Sequence, residues 1–180
     1  MKLLKFNTEM IESILADRKT QTRRLIKPQP KVTEQELRSY GAWSEGYTLS
    51  QQVSAAWQAG FIDVNCPYGG NGDLILFYDQ GGIPVGEINL RNTKVEQLQD
   101  ISAEDAKAEG LAEISKDGKL FKFGIPDMDG LPGGCDIGWQ WSEWEKNPVM
   151  AYKKLWASIY GEENWNNNPW VWVIEFRRFR

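Results

Sequence analysis

The sequence contains no histidine. Serine–histidine–aspartate and cysteine–histidine nucleophile systems are therefore excluded, as is an imidazole general base. Acid–base chemistry is left to Lys, Glu, Asp, Tyr or Cys. Cysteine is nearly absent as well: Cys66 and Cys135 stand far apart, each without a neighbouring cysteine. A structural zinc site takes about four Cys or His ligands in spaced pairs, so no metal is expected, and no cofactor either. A Cys66–Cys135 disulfide is not expected in a reducing compartment. No apolar run approaches the ~20 residues of a membrane span. Residues 1–6 lack the apolar stretch and small-residue cleavage site of a signal peptide. The chain reads as cytoplasmic, with no membrane partner.

What is present suits one domain spanning residues 1–180. A chain of 180 residues can bury roughly 70% of its unfolded surface and needs no staples. Apolar residues make up 41% and charged residues 26%, which is ordinary; nine Trp is the outlier. The net charge of −4 argues against a protein coated with bases for duplex DNA. Charge is nonetheless uneven. Arg18, Lys19, Arg23, Arg24 and Lys27 follow one another with no acid between them, and the chain closes on Arg177, Arg178 and Arg180. That distribution permits one local anion site without general affinity for polyanions.

Along the chain, Leu3–Phe6 suits a short strand. Asn7 or Thr8 can cap a helix over residues 8–17, where Met10, Ile11, Ile14 and Leu15 recur at helical spacing. A short helix is expected near Leu49–Ala59, and the run from Cys66 to Asp73 is a dense turn signal, with Asp73 as a turn-stabilising residue. Leu74–Phe77 reads as a strand buried on both faces. Ile83–Leu90 reads as a second strand, and Val95 and Leu98 as a third short strand or turn. Ser102 caps a helix that runs to Glu109, and Gly110 ends it. Eight Gly and Pro residues between 116 and 138 predict a long loop. Pro148 sits at the first position of a helix that Gly161 stops. Trp170–Phe179 is a strong strand with Trp170, Trp172, Ile174 and Phe176 on one face. The absence of strand–helix alternation predicts α+β, a small twisted barrel with helices at its ends.

The segment from Asp17 to Arg24 carries the most chemistry. Lys19 and Thr22 would share a face on a helical turn but point to opposite faces of a straight strand. A lysine amine can take a proton from a threonine hydroxyl only when neutral, and burial and neighbouring cations both favour that state. The bland alternative is a solvated basic turn. Glu109, one helical turn after Asp105, reads by itself as part of a solvated acidic face. Trp139, Trp141 and Trp144 follow the Gly-rich segment and are candidates either for the core or for a lid that stacks on a base.

The pattern Lys19-x-x-Thr22-x-Arg24 after a helix resembles the signature of the ASCH family of PUA-like barrels, in the branch where a Thr replaces Glu and which removes acetyl from N4-acetylcytidine. A fuller likeness is to longer phage-encoded ASCH proteins. It includes Cys66-Pro67-Tyr68-Gly69 before Gly72-Asp73, Leu98-Gln99-Asp100-Ile101-Ser102 leading to Glu109-Gly110, and Asn168-Pro169-Trp170-Val171-Trp172. The resemblance implies a PUA-like barrel with long loop insertions at about 28–70 and 112–147, in a phage or prophage protein of the host cytoplasm. It implies Lys19 as base, Thr22 as nucleophile and Glu109 as the partner of Lys19. Arg18, Arg23, Arg24, Trp139 and Trp141, read from the basic patch and the aromatic segment, are candidate contacts to a nucleoside or single-stranded RNA. Asp17 stands where the family pattern has Gly, so the backbone there needs no conformation reserved to Gly. Two rivals remain beside the amidohydrolase: a single-stranded RNA-binding module or ribonuclease, and a structural protein of phage assembly.

Overall fold

The structure, a computed structural model, describes residues 2–39, 41, 43–60 and 65–180. Met1 and residues 40, 42 and 61–64, part of the 28–70 segment, lie outside them. The elements in chain order are β1 (Leu4–Lys5), α1 (Thr8–Leu15), β2 (Gln21–Leu25), α2 (Glu34–Ser39), α3 (Leu49–Gln58), β3 (Leu74–Tyr78), β4 (Pro84–Gln97), α4 (Ala103–Ala108), β5 (Ala112–Ser115), β6 (Phe121–Gly124), α5 (Pro148–Tyr160), α6 (Glu162–Asn166) and β7 (Trp170–Arg178). Five strands form one sheet in the order β1-β3-β4-β7-β2, and β5 and β6 form a separate hairpin. The expected α+β class holds, as a sheet curled into a half-barrel with flanking helices. The two edge strands are tied by a side chain: the Arg24 guanidinium donates to the Lys5 carbonyl at 2.8 Å and lies 4.9 Å from the Phe6 ring centroid.

Local signals set the helices. Asn7 accepts from the Met10 amide to open α1, Ser102 accepts from the Asp105 amide to open α4, and Asn147 with Pro148 opens α5. Thr48 and Gln51 form a capping box at α3. Asp73 stabilises its turn by accepting from the Gly70 amide at 2.8 Å.

Several strand expectations need correction. Leu74–Phe77 is not buried on both faces: Leu74 and Leu76 are 48% and 43% exposed while Phe77 is buried, because the mixed sheet is solvated on that side. The second and third strands expected between Ile83 and Leu98 are one 14-residue strand, β4. Its continuity is hidden by a bulge between Leu90 and Asn92, where one extra residue, Arg91, interrupts the alternation. The loop expected over 116–138 includes β6, paired with β5, and then winds around Asp127. That carboxylate accepts from the amides of Cys135, Asp136 and Gly138, and those donors hold it below the usual carboxylate range. Cys66 and Cys135 are both free, as expected. Asp17 has φ 60, a left-handed conformation that Gly adopts freely and Asp tolerates. The position does ask for that backbone shape, and Asp supplies it.

β7 lies between β4 and β2 and is buried on both faces. Trp170, Trp172, Ile174 and Phe176 join the main core with Leu4, Phe6, Ile14 and Phe77. Val171 and Val173 join a second core with Leu98, Tyr152, Leu155 and Trp156. The registers place residues of β2, β7 and β4 in rows: Gln21–Glu175–Asn92, Thr22–Ile174–Thr93 and Arg23–Val173–Lys94. Thr22 and Thr93 thus flank Ile174 on the main-core face, and the charged residues share the opposite face. No helix among the described residues is long and apolar enough to cross a membrane.

Candidate functional site

Residues 19–25 are extended rather than turned. Lys19 bridges to Glu109, and β2 begins at Gln21. Gly110 makes the bridge possible. Its φ is 114, and a Cβ there would lie 2.9 Å from the Ser13 Cβ and 3.2 Å from the Lys19 Cβ. The ammonium of Lys19 is buried, and each of its three protons has an acceptor: Gln21 O at 2.8 Å, Glu109 O at 3.0 Å and Glu109 Oε2 at 2.7 Å. Burial pushes the amine below the ordinary lysine range, and contact with Glu109 partly offsets that shift.

Glu109 is 3% exposed, so the acidic end of α4 does not face solvent. Its second oxygen accepts from Arg23 at 3.0 Å, and the other end of that guanidinium meets Glu96 at 3.1 Å and Asp105 at 3.3 Å. Lys94 stands 3.6 Å from Glu96 and 3.7 Å from Asp105. Gln21 donates to Asp105 and to Glu175, both at 3.0 Å. Three cations (Lys19, Arg23, Lys94) thus balance three carboxylates (Glu109, Glu96, Asp105) under the second core. The surrounding carboxylates hold the Arg23 guanidinium above its ordinary range against the burial that lowers it.

The structure brings Lys19, Arg23 and Glu109 together. Thr22 is fully buried, and no described residue hydrogen-bonds its hydroxyl; the Thr93 hydroxyl is in the same condition. Arg24, besides tying β1 to β2, lines a cavity of about 10 Å³ with Glu109, Tyr152, Trp156 and Tyr160, room for about one water. Burial, reinforced by the charge of Glu109, drives the Tyr152 phenol well above its ordinary range. Arg18 donates to Ser13 Oγ at 3.3 Å, its Nε has no described partner, and burial lowers its pKa.

The Trp residues are occupied elsewhere. Trp144 is 2% exposed, and Trp139 packs on the second core. Lys116 and Lys122 each lie 4.8 Å from the Trp141 ring centroid. Neither Trp139 nor Trp141 lines the cavity beside Glu109.

The open clefts lie elsewhere on the charged face. One of about 490 Å³ is lined by Thr20, Gln21, Arg91, Glu175, Phe176 and Arg177. Another of about 750 Å³ lies between α3 and β4. Sequence reading missed Arg91, Lys94 and Glu96, because only pairing with β7 puts Lys94 and Glu96 on the face of Arg23 and only the bulge in that pairing sets Arg91 beside the cleft. The one usable signal was the broken alternation at Arg91.

The fold and site define an α+β half-barrel whose buried ionic cluster adjoins open polar clefts. No family model and no curated protein matches the sequence. Among solved structures, the chain is similar to the crystal structure of an ASCH domain from Lactobacillus crispatus JV V101, with 11% identity, a TM-score of 0.43, and coverage of 94% of this chain and 69% of that one. No groups of three or more potential metal ligands occur among the described residues.

Proposed function

We propose that the chain is an ASCH-type domain of a phage or prophage that binds a nucleoside or single-stranded RNA through the charged face of its sheet. The observation that carries this reading is the pair Arg91 and Arg177 in the cleft of about 490 Å³, a size suited to a small ligand. Among the described residues neither arginine has a carboxylate within ion-pair distance, whereas Arg23 has three. The bulge turns Arg91 out of the ladder, and the arginines supply phosphate contacts. The test is the salt dependence of binding to a short single-stranded RNA. Each phosphate contact contributes about 0.7 to the slope of log K against log salt, so Arg91→Ala with Arg177→Ala should lower the slope by about 1.4. An unchanged slope, or no binding at low salt, removes the reading.

A second reading, the amidohydrolase, is favoured by the unbonded Thr22 hydroxyl and the lowered Lys19 amine. In it, Thr22 Oγ attacks the amide carbonyl of an N4-acylated cytidine and Lys19 takes its proton, a transfer that needs the Lys19 amine released from Gln21 and Glu109 and brought to the face of the sheet that Thr22 occupies. Cytidine leaves with that proton, and water resolves the ester to the free acid. The cavity beside Glu109 holds about one water and Thr22 does not line it, so a substrate enters only when the packing around Thr22 opens. The expected rate of cytidine release from N4-acetylcytidine rises with pH as Lys19 deprotonates. Its inflection lies below the ordinary lysine range, because burial favours the neutral amine. Release no faster than from Thr22→Ala ends this reading.

A further inference from the structure

The C-terminal half of β4 has β7 on one side but, among the described residues, no strand on the other, since β3 pairs only as far as Asn89. Such an edge leaves backbone donors to be satisfied. Helix α3 covers it: Ser54 Oγ accepts from the Val95 amide at 3.2 Å and Ser50 Oγ from the Gln97 amide at 2.9 Å. Between the helix and the strand lies the cleft of about 750 Å³, the largest of the described clefts. Its carboxylates are already engaged. Glu96 holds Arg23 and lies near Lys94, and Asp100 accepts from Ser50. The amides of Gln58 and Asn92 make no side-chain hydrogen bond among the described residues. Tyr47, also lining the cleft, is 61% exposed.

Free carboxamides with matched donor and acceptor pair bidentately with the edge of a purine, adenine above all, and an exposed phenol ring stacks on a base. Asn92 stands in the same row as Glu175 and Gln21, which line the arginine cleft, so the two clefts adjoin across one strand. We propose that the α3–β4 cleft is a second nucleobase site, with one base stacked on Tyr47 just before α3 and the edge of an adjoining adenine read through Gln58 and Asn92 at the far end of the helix. This rests on the nucleic-acid reading above and narrows its ligand: the protein takes an oligonucleotide laid across both clefts, with phosphates at Arg91 and Arg177, in preference to a free nucleoside.

The experiment compares an oligo(A) hexamer with AMP on the full chain. The hexamer should bind more tightly than AMP. Tyr47→Ala combined with Gln58→Ala should weaken the hexamer by about 5- to 150-fold, the range for loss of one stacked base. The salt slope should not change, and Tyr47→Phe should keep hexamer binding. Both changes are on the surface, so folding is not at stake. If the double variant binds the hexamer like the parent while Arg91→Ala with Arg177→Ala still weakens it, the second site is overturned and the arginine cleft stands alone. If the hexamer does not bind at low salt, both fall together.

Discussion

Arg23→Met is expected to destabilise the protein by about 3–5 kcal/mol, the usual cost of removing one partner from a buried ionic group. For a chain of this size that is a fall of roughly 6–20 °C in Tm. Arg23 is 1% exposed, and its guanidinium meets Glu109, Glu96 and Asp105. Without it, the second oxygen of Glu109 is left buried with no cation. Arg23→Lys should recover little, since a compact ammonium cannot span carboxylates at both ends of a planar fork. Arg38 is the control. It also pairs with two carboxylates, Glu34 and Glu45, but all three side chains are about half exposed or more, and Arg38→Ala should cost under ~1 kcal/mol. Urea denaturation of the three variants checks the ranking. Arg23→Met within 1 kcal/mol of the parent would show that the cluster does not hold α4 to the sheet.

Thr22→Val should do the reverse and stabilise the protein, by about 1–3 kcal/mol, the cost of a buried hydroxyl with no hydrogen-bond partner. Valine keeps the branched shape beside Ile174 and removes the oxygen. Thr93→Val, on the other flank of Ile174, should give a similar gain because its hydroxyl is equally unbonded. The pair separates structure from chemistry. If Thr22 is the nucleophile, both variants gain stability and Thr22→Val alone loses hydrolysis of N4-acetylcytidine. If Thr22→Val is less stable than the parent, the hydroxyl has a hydrogen-bond partner and the expected gain is refuted.

Much of the fold was legible because its signals are local. Asn7, Ser102 and Asn147-Pro148 announce helices by capping chemistry that needs nothing beyond the first turn. β7 shows its strand period through Trp170, Trp172, Ile174 and Phe176. The exposure of Leu74 and Leu76 was not legible, because an apolar run reads alike whether one face or both are covered. β4 was divided at Arg91 because a bulge breaks alternation without ending the strand. The hairpin of β5 and β6 was obscured by the Gly- and Pro-rich residues that follow it.

The site divides along the same line. Lys19, Thr22, Arg23 and Glu109 were singled out from the sequence, and by its composition alone the chain has no imidazole to do their chemistry. That Lys19 and Arg23 share one carboxylate, while Thr22 turns to the other side of the sheet, was decided by the register of β2 on β7. Whether Asp105 and Glu109 meet water or arginine depended on where α4 docks. Residue types and local periodicity are carried by the chain itself. The partners of a buried charge are set by strands and helices distant in sequence, and only folding brings them within hydrogen-bond reach.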